Sequence, residues 1–236
     1  MEQFEAVIIG AGPAGGQCAR QLAQQGLKVL LVEQHQNFEQ NNYSSAASPL
    51  ETLSLFDLPE SVVACYWSNL AIAASQTSHQ WSDDQPQGVV FDFAKLRAFL
   101  AASTQEQGGT VWLGSRFTGY QDQGNEIIVT LRQRGNQNIN VKTQILIDAT
   151  GSKRAVINAN QPQKPNAHDY LRGIGTEYLI EVDAATHQRY CDTLVFFLGY
   201  RWSPQGYSWI FPMDNHQLKV GTAIFAGNHR YFDKLN

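Results

Sequence analysis

The sequence predicts an α/β fold in two parts, the first built on a mainly parallel sheet and the second on a mainly antiparallel sheet. In residues 5–33 a buried strand, a glycine-rich turn, a helix and a second buried strand follow one another. In residues 174–225 four strand-like runs occur with no clear helix between them. Residues 158–170 lie between these regions and are rich in Asn, Gln and Pro, which is typical of a linker.

The first region reads as a βαβ unit. "EAVIIG" (5–10) is a short apolar run that stops at glycine, as a buried parallel strand does. Apolar residues then recur every four positions and predict a helix over 13–25, which Gly26 ends. "KVLLVE" (28–33) is the second buried strand. A parallel crossover of this kind places a helix against the sheet.

The middle of the chain carries weaker signals. Ser48, Pro49 and Glu51 predict a helix start at "SPLE", because the first can cap, the second suits the first turn and the third completes a capping box. The remaining predictions are a loop over 75–88, a helix capped by Asp92 that ends near Gly108, and strands over 110–121, 126–131, 138–142 and 144–150. The second part is predicted to hold strands over 174–183, 193–199, 207–211 and 217–225.

The composition limits the possible partners. The 236 residues carry a net charge of −4, and Lys and Arg are scattered, which argues against nucleic acid as the main partner. Three cysteines form no CxxC pair, which favours a reducing compartment, and the six histidines show no metal-ligand spacing, so no metal is expected. We expect no signal peptide and no spanning segment, and hence a cytoplasmic protein that touches membranes only peripherally.

A GxGxxG motif follows the first strand. Its residues are Gly10, Gly12 and Gly15, with Pro13 and Ala14 opening the helix. The first glycine allows a tight turn, the second lets the backbone approach a pyrophosphate, and the third lets the helix lie close to the strand. The helix N-terminus then offers free N–H groups and partial positive charge to the phosphates. The alternative is a turn that merely joins strand to helix.

Glu33 ends the second strand and follows Gly10 by 23 residues (33 − 10), close to the spacing of an acid that binds a ribose. Because an acid repels a 2′-phosphate, the predicted ligand is FAD or NAD. "ILIDATG" (145–151), with Asp148 and Gly151, resembles the second approach to the dinucleotide in FAD-dependent oxidoreductases of the glutathione-reductase-like superfamily. A buried strand that closes in a turn is the simpler reading of the same segment.

Taken together, the chain resembles the geranylgeranyl reductase family of flavoproteins, relatives of aromatic hydroxylases and flavin halogenases. The segments that carry the resemblance are "VIIGAGPAGGQCARQLAQQGLKVLLVE", "SPLETL", "FDFAKLRAFLAASTQEQGGTVWLGSRFTGY" and "PQGYSWIFPMDNHQLKVGTAI". It implies a Rossmann-like FAD-binding domain over 1–160, with an excursion around 60–90, and a β-rich substrate domain over 161–236. Phe117 would belong to the FAD site.

The last of these segments holds Tyr207, Trp209 and Phe211 on alternate positions, which places them on one face of a strand. The resemblance implies that they line an apolar pocket for a prenyl chain or shield the flavin ring. An ordinary core strand is the alternative, above all for Phe211. No side chain is assigned as the proton donor.

Three departures from the family pattern stand out. Phe93 occupies the place where the family often has an arginine near the flavin phosphates, and "NNYSSAA" stands where a Cys-Gly-Gly stretch is common. No Gly-Asp-Ala-type segment follows the aromatic strand, and "GNHRYFDKLN" resembles a helix start cut short. The chain is therefore expected to be a fragment or a shortened relative that binds FAD more weakly.

The resemblance implies an FAD-dependent oxidoreductase that reduces C=C bonds of an isoprenoid substrate, with a lipidic small molecule as partner and NAD(P)H or another electron donor. The alternatives are a flavin monooxygenase or halogenase, a role like that of lycopene cyclase, and a truncated module that only binds a dinucleotide.

Overall fold

The computed structural model describes residues 1–42, 44–160 and 172–226, and the chain divides into two compact units. The first unit comprises residues 1–42 and 93–164, and the second comprises 43–92 and 165–236. Most of the predicted linker, and all of "GNHRYFDKLN", lie outside the described residues. The division differs from the predicted one because residues 43–92 belong to the second unit instead of forming an excursion of the first.

The first unit is built on a six-stranded sheet in the order β8-β2-β1-β11-β10-β9. Its strands are β1 Glu2–Ile9, β2 Val29–Val32, β8 Thr110–Trp112, β9 Arg116–Asp122, β10 Ile127–Arg132 and β11 Asn138–Asp148, and its helices are α1 Pro13–Gln24 and α3 Phe93–Glu106. The pairs from β8 to β11 are parallel, whereas β10 and β9 add antiparallel strands at one edge. The predicted βαβ unit and mainly parallel sheet are confirmed.

The central strand β1 shows why this sheet forms. Val7 and Ile8 point to opposite faces of the strand, and both are fully buried. A strand covered on both faces needs a continuous apolar run, which "AVII" supplies. Gly26 has φ +83°, so it ends α1 in the left-handed conformation that the sequence predicts for it.

The second unit holds a six-stranded sheet in the order β12-β15-β14-β13-β5-β6 and a three-stranded sheet in the order β3-β7-β4. The strands are β3 Ala47–Pro49, β4 Val63–Trp67, β5 Asn69–Ala73, β6 Ser78–Ser82, β7 Gly88–Phe91, β12 Arg172–Glu181, β13 Thr193–Leu198, β14 Gly206–Pro212 and β15 Gln217–Ala226. All pairs are antiparallel except β5 with β13. The mainly antiparallel second part is therefore confirmed.

The prediction of a helix start at Ser48 was wrong. Ser48 lies in β3, where it pairs with Val89 of β7, and its hydroxyl bonds to that of Thr52 at 2.7 Å. Only a single helical turn, α2 Thr52–Leu55, follows. The local capping signal was outweighed by a strand partner some 40 positions away (89 − 48), which no local pattern reveals.

Several further elements were missed: no strand was predicted for β4, β5, β6 or β7, and no helix for α4. Strand β6 lies in the predicted loop over 75–88 and is exposed along its whole length, so it lacks the apolar alternation that marks a strand. Helix α4 (Ala184–Tyr190) lies between the predicted strands. Its signal was present, because Asp183 caps it by accepting a bond from the Thr186 N–H at 2.9 Å.

Among the residues that the structure describes, no helix is long and apolar enough to cross a membrane.

Candidate dinucleotide site

A cavity of about 280 Å³ lies in the first unit. Its lining residues include Ile9 at the end of β1, Val32 at the end of β2 and Ala149 directly after β11. The carboxyl ends of adjacent parallel strands therefore open into it, which is where open α/β sheets bind ligands. The full lining is Ile9, Gly10, Gly12, Val32, Glu33, Gln34, Asn41, Phe93, Arg97, Ser115, Arg116, Phe117, Ala149, Thr150, Gly151, Lys153 and Ala155.

The three glycines of the motif have different surroundings. Gly10 has φ +104°, and a Cβ there would stand 2.4 Å from the carbonyl oxygen of Ala149. A Cβ on Gly15 would stand 1.9 Å from the carbonyl oxygen of Gly10. A Cβ on Gly12 would meet nothing within 4 Å, although Gly12 lines the cavity. The chain itself needs the first and third glycines, whereas the second leaves open the space in front of the helix.

The N-terminus of α1 reaches this space. Gly12 is the N-cap residue and makes no side-chain cap, Pro13 occupies the first turn, and no acidic residue lies in that turn. The first N–H groups of this 12-residue helix therefore have no capping side chain to accept their hydrogen bonds. Free N–H groups and the positive end of the helix dipole favour an anion here. Pro13, Ala14 and Gly15 form this turn but do not line the cavity.

Glu33 lies at the cavity wall and is only 6% exposed. Its Oε2 accepts a hydrogen bond from the Ala11 N–H at 3.1 Å, and its Oε1 accepts one from the His35 N–H at 3.0 Å. The carboxylate is thus held in one orientation by backbone groups on either side. Oε2 also lies 3.4 Å from a terminal nitrogen of Arg97, so Oε1 is the oxygen with a lone pair that a ligand hydroxyl could reach.

Three basic residues line the cavity although the sequence did not predict them as site residues: Arg97, Arg116 and Lys153. The sequence offers Phe93 where an arginine was expected, and Phe93 does line the cavity. Arg97 follows it by four residues in α3, which puts both side chains on one helix face. The i, i+4 spacing could have identified this arginine.

Asp148 was predicted to belong to the FAD site, but it is not among the residues that line the cavity. Its Oδ1 accepts bonds from the N–H and hydroxyl of Thr150 at 3.0 and 2.6 Å, and its Oδ2 accepts from the N–H groups of Val156 and Ile157, both at 2.9 Å. Burial raises the pKa of this carboxyl, but the hydrogen bonds outweigh burial and lower the pKa below its ordinary value. Asp148 therefore shapes the turn that presents Thr150 and Gly151 to the cavity.

The predicted aromatic face of the second unit is present on β14. Tyr207 and Trp209 have ring centroids 5.6 Å apart, and Trp209 and Phe211 have centroids 6.4 Å apart, as expected for side chains on one face. Trp209 and Phe211 are buried in a cluster that includes Val90 and Leu194, while Tyr207 is partly exposed beside it. Trp209 and Phe211 therefore contribute to the core of the second unit.

Two neighbours hold the Trp209 indole in place. Its Nε1–H donates to Oε2 of Glu177 at 2.9 Å. Its ring lies over Gly221 of β15, where a Cβ would stand 2.2 Å from Cζ2 of the indole. Because Gly221 has no side chain, it leaves the space on the neighbouring strand that the indole occupies.

Comparisons with known proteins agree with this architecture. Residues 5–165 match the model of the FAD dependent oxidoreductase family, and residues 174–234 match that of the geranylgeranyl reductase catalytic domain. A digeranylgeranylglycerophospholipid reductase of Haloferax volcanii is 30% identical over 98% of this chain and 56% of its own length. One of Picrophilus torridus is 26% identical over 99% of this chain and 59% of its own length. The chain thus spans little more than half the length of these relatives.

Solved structures share the fold. A geranylgeranyl bacteriochlorophyll reductase-like protein of Thermoplasma acidophilum superposes with a TM-score of 0.83 at 22% identity, covering 100% of this chain and 62% of the other. The myxobacterial chondrochloren halogenase superposes with a TM-score of 0.71 at 15% identity, covering 100% of this chain and 55% of the other. The match to the family model spans well over half of the chain and contains all the residues that line the cavity. The chain therefore belongs to the FAD-dependent oxidoreductases, with a C-terminal part that matches the geranylgeranyl reductases.

Proposed function

We propose that this chain carries the FAD-binding part and the substrate-facing sheet of an enzyme that reduces the C=C bonds of geranylgeranyl groups on a lipid. The observation that carries the proposal is the match of both parts, in order, to relatives named as digeranylgeranylglycerophospholipid reductases. The likeness to halogenases, at 15% identity, concerns the fold alone.

The cavity of the first unit has the features that FAD requires. The open space at Gly12 and the uncapped start of α1 would receive the pyrophosphate. Glu33 would accept hydrogen bonds from ribose hydroxyls, while Arg116 and Lys153 would add positive charge to the cavity wall. Phe117 and Gly151 line the same cavity and complete the proposed set. When bound and reduced, FAD would supply the hydride for the alkene, and a donor such as NAD(P)H would provide the electron pair that reduces it again.

The aromatic face of β14 is the proposed wall for the isoprenoid chain. Tyr207 is partly exposed, and Trp209 and Phe211 are buried on the same face of the strand. Rigid aromatic side chains offer apolar area to a prenyl chain and exclude water from a reacting alkene. The hydrogen bond to Glu177 keeps the indole fixed, so that such a wall would not need to rearrange when the substrate binds.

A lipid substrate implies an encounter with a membrane surface. Peripheral contact is therefore part of the proposal, and co-flotation of the protein with lipid vesicles tests it.

The first experiment is the visible absorption spectrum of the purified 236-residue chain before and after addition of FAD. We expect a flavin spectrum that bleaches under dithionite and returns when a geranylgeranyl diether phospholipid is added without oxygen. The lipid should gain about 2 mass units for each double bond reduced, since a hydride and a proton are added. The matched control is a lipid with saturated chains, which should leave the reduced flavin unchanged.

Two results would contradict the proposal. The chain could fail to bind FAD under any condition, or it could bind FAD and reoxidise only with oxygen while the lipid keeps its mass. Hydroxylation or halogenation of an added phenol in the second case would support a monooxygenase or halogenase instead.

A further inference from the structure

Arg97 is a charged residue in an unusual place. It lies in α3, lines the cavity of the first unit, and is only 3% exposed. Burial of a guanidinium is costly unless hydrogen bonds and opposite charge replace the lost water. Its partners therefore identify what the residue is for.

Those partners come from three separate parts of the chain. Nε donates to the carbonyl oxygen of Ala11 in the glycine-rich loop at 3.1 Å, and one terminal nitrogen donates to the carbonyl oxygens of Gln40 and Asn41, both at 3.3 Å. The other terminal nitrogen lies 3.4 Å from Oε2 of Glu33. One planar group thus joins the glycine loop, the acid at the end of β2 and the segment that follows it.

Two aromatic rings hold the guanidinium in this position. Its central carbon lies 5.1 Å from the centroid of Phe38 and 5.6 Å from that of Phe93. These are cation–π distances. A lysine could reach one or two of these oxygens but could not replace the flat fork with several donors.

All three segments that Arg97 joins contribute to the cavity wall, through Gly12, Glu33 and Asn41. The cited bonds direct four of the five N–H donors of Arg97 at protein oxygens, so the residue is suited to arranging other groups more than to binding a phosphate itself. Its positive charge also offsets that of Glu33, which stands in the wall where a polyanionic ligand would bind.

We infer that Arg97 is the positioning residue for the adenosine diphosphate half of the bound dinucleotide, acting through Glu33 and the 38–41 segment. The inference rests on the proposed binding of FAD. Glu33 without Arg97 would lose its charge partner and one of its orienting contacts, and the segment after β2 would lose its tie to the glycine loop. The cavity wall would then be displaced and would carry more negative charge, so ligands that contain adenosine diphosphate would bind more weakly.

The test is a double-mutant cycle on ligand affinity with Arg97→Lys, Glu33→Gln and the double variant. The dissociation constants of FAD and of ADP are measured by calorimetry with the 236-residue chain, and the thermal midpoint of each variant is recorded separately. Arg97→Lys should lower the affinity for FAD and for ADP by about tenfold. In the Glu33→Gln background the same substitution should lower these affinities by only about threefold, because much of its effect acts through the carboxylate of Glu33.

Arg20→Lys is the matched control. Arg20 is also buried in the first unit, with its guanidinium 5.5 Å from the ring of Phe99, but it does not line the cavity. Its substitution should leave both affinities unchanged while it lowers the thermal midpoint to a degree similar to Arg97→Lys.

The outcomes separate this inference from the proposed function. A wild-type chain that binds neither FAD nor ADP overturns both. A wild-type chain that binds them, with Arg97→Lys as tight as wild type, overturns the inference alone. An equal loss in the wild-type and Glu33→Gln backgrounds also overturns it, because the effect would then not pass through Glu33.

Discussion

The two units use glycine next to their candidate functional surfaces for different reasons. In the first unit Gly12 stands before open space, so that no part of the protein accounts for the missing side chain. In the second unit Gly221 stands beneath the Trp209 indole, so that a protein side chain fills the place. The space at Gly12 is therefore available to a ligand, whereas the space at Gly221 is occupied by the indole of Trp209.

This difference suggests where each unit is sensitive. In the first unit, a side chain added at Gly12 should change the affinity for a ligand but not the stability of the fold, because it meets no protein atom. A side chain added at Gly15 should lower the stability of the fold, because it meets the backbone. A side chain added under Trp209 must disturb the fold first, because the indole is buried and bonded to Glu177. Substitutions at these three positions test this difference between the two units.

The largest effect is expected from Gly15→Ala. Its Cβ would stand 1.9 Å from a backbone oxygen, so the loop or the helix must move, and the free energy of unfolding should fall by about 3 kcal/mol. Gly12→Ala is the matched variant, and it should change the free energy of unfolding by less than about 1 kcal/mol, because its Cβ meets nothing within 4 Å. Chemical denaturation of the protein without ligand measures both.

The affinity of Gly12→Ala for FAD should nevertheless fall by about tenfold or more, because the added methyl would occupy the space proposed for the pyrophosphate. Tight FAD binding by Gly12→Ala would remove the distinction between the two glycines.

The second prediction concerns Gly221→Ala. A Cβ 2.2 Å from the indole forces the ring of Trp209 to turn, and it then loses the bond to Glu177. We expect a loss of about 2 kcal/mol in the free energy of unfolding and a red shift of the tryptophan emission. In a Trp209→Leu background the same substitution should cost less than half as much. Equal costs in the two backgrounds would mean that the glycine serves something other than the indole.

A smaller loss of stability than that of Gly15→Ala or Gly221→Ala is expected from Asp148→Asn, which tests whether the carboxylate stabilises the backbone of the first unit. Asparagine keeps one acceptor oxygen for four donors, so the free energy of unfolding should fall by about 1.5 kcal/mol near neutral pH. Since the folded pKa of Asp148 is lowered, its contribution is complete above the unfolded value of about 3.9 and is lost as the pH falls through the folded value.

The difference between wild type and Asp148→Asn should therefore shrink below about pH 4, as measured by denaturation at several pH values. A difference that stays constant down to pH 2 would contradict the role of the ionised carboxylate.

The sequence predicted the first unit better than the second because the signals of the first are local. The strand, turn, helix and acid of the βαβ unit lie within 5–33, and each has a physical reason that neighbouring residues make visible. The sheet membership of 43–92 and the strand at Ser48 depend on partners distant in the chain. Strand β6 pairs with the adjacent strand β5 and was missed for another reason, because all of its residues are exposed and it shows no apolar alternation. Local patterns carry no information about partners that are distant in the chain.

The same reason divides the candidate site. The glycines were predictable from their motif, whereas the contacts of Arg97 reach three distant segments. The bonds of Asp148 go to residues that follow it closely, and they depend on the conformation of that loop, for which the sequence contains no motif. The aromatic face was predictable from its alternation, but the burial of Trp209 depends on residues of β12 and β15.

The interrupted path of the chain has a consequence for its synthesis. The second unit contains Cys65, whose thiol donates to the carbonyl oxygen of Cys191, and 126 residues separate the two. During translation at about 5–20 residues per second, the early strands of this unit wait roughly 6–25 s for their partners to emerge. The first unit is also interrupted by the second, so neither can be completed before most of the chain has left the ribosome. Until then the edge of β5 that later pairs with β13 is open to other strands, which makes the nascent chain a client for chaperones that shield such edges.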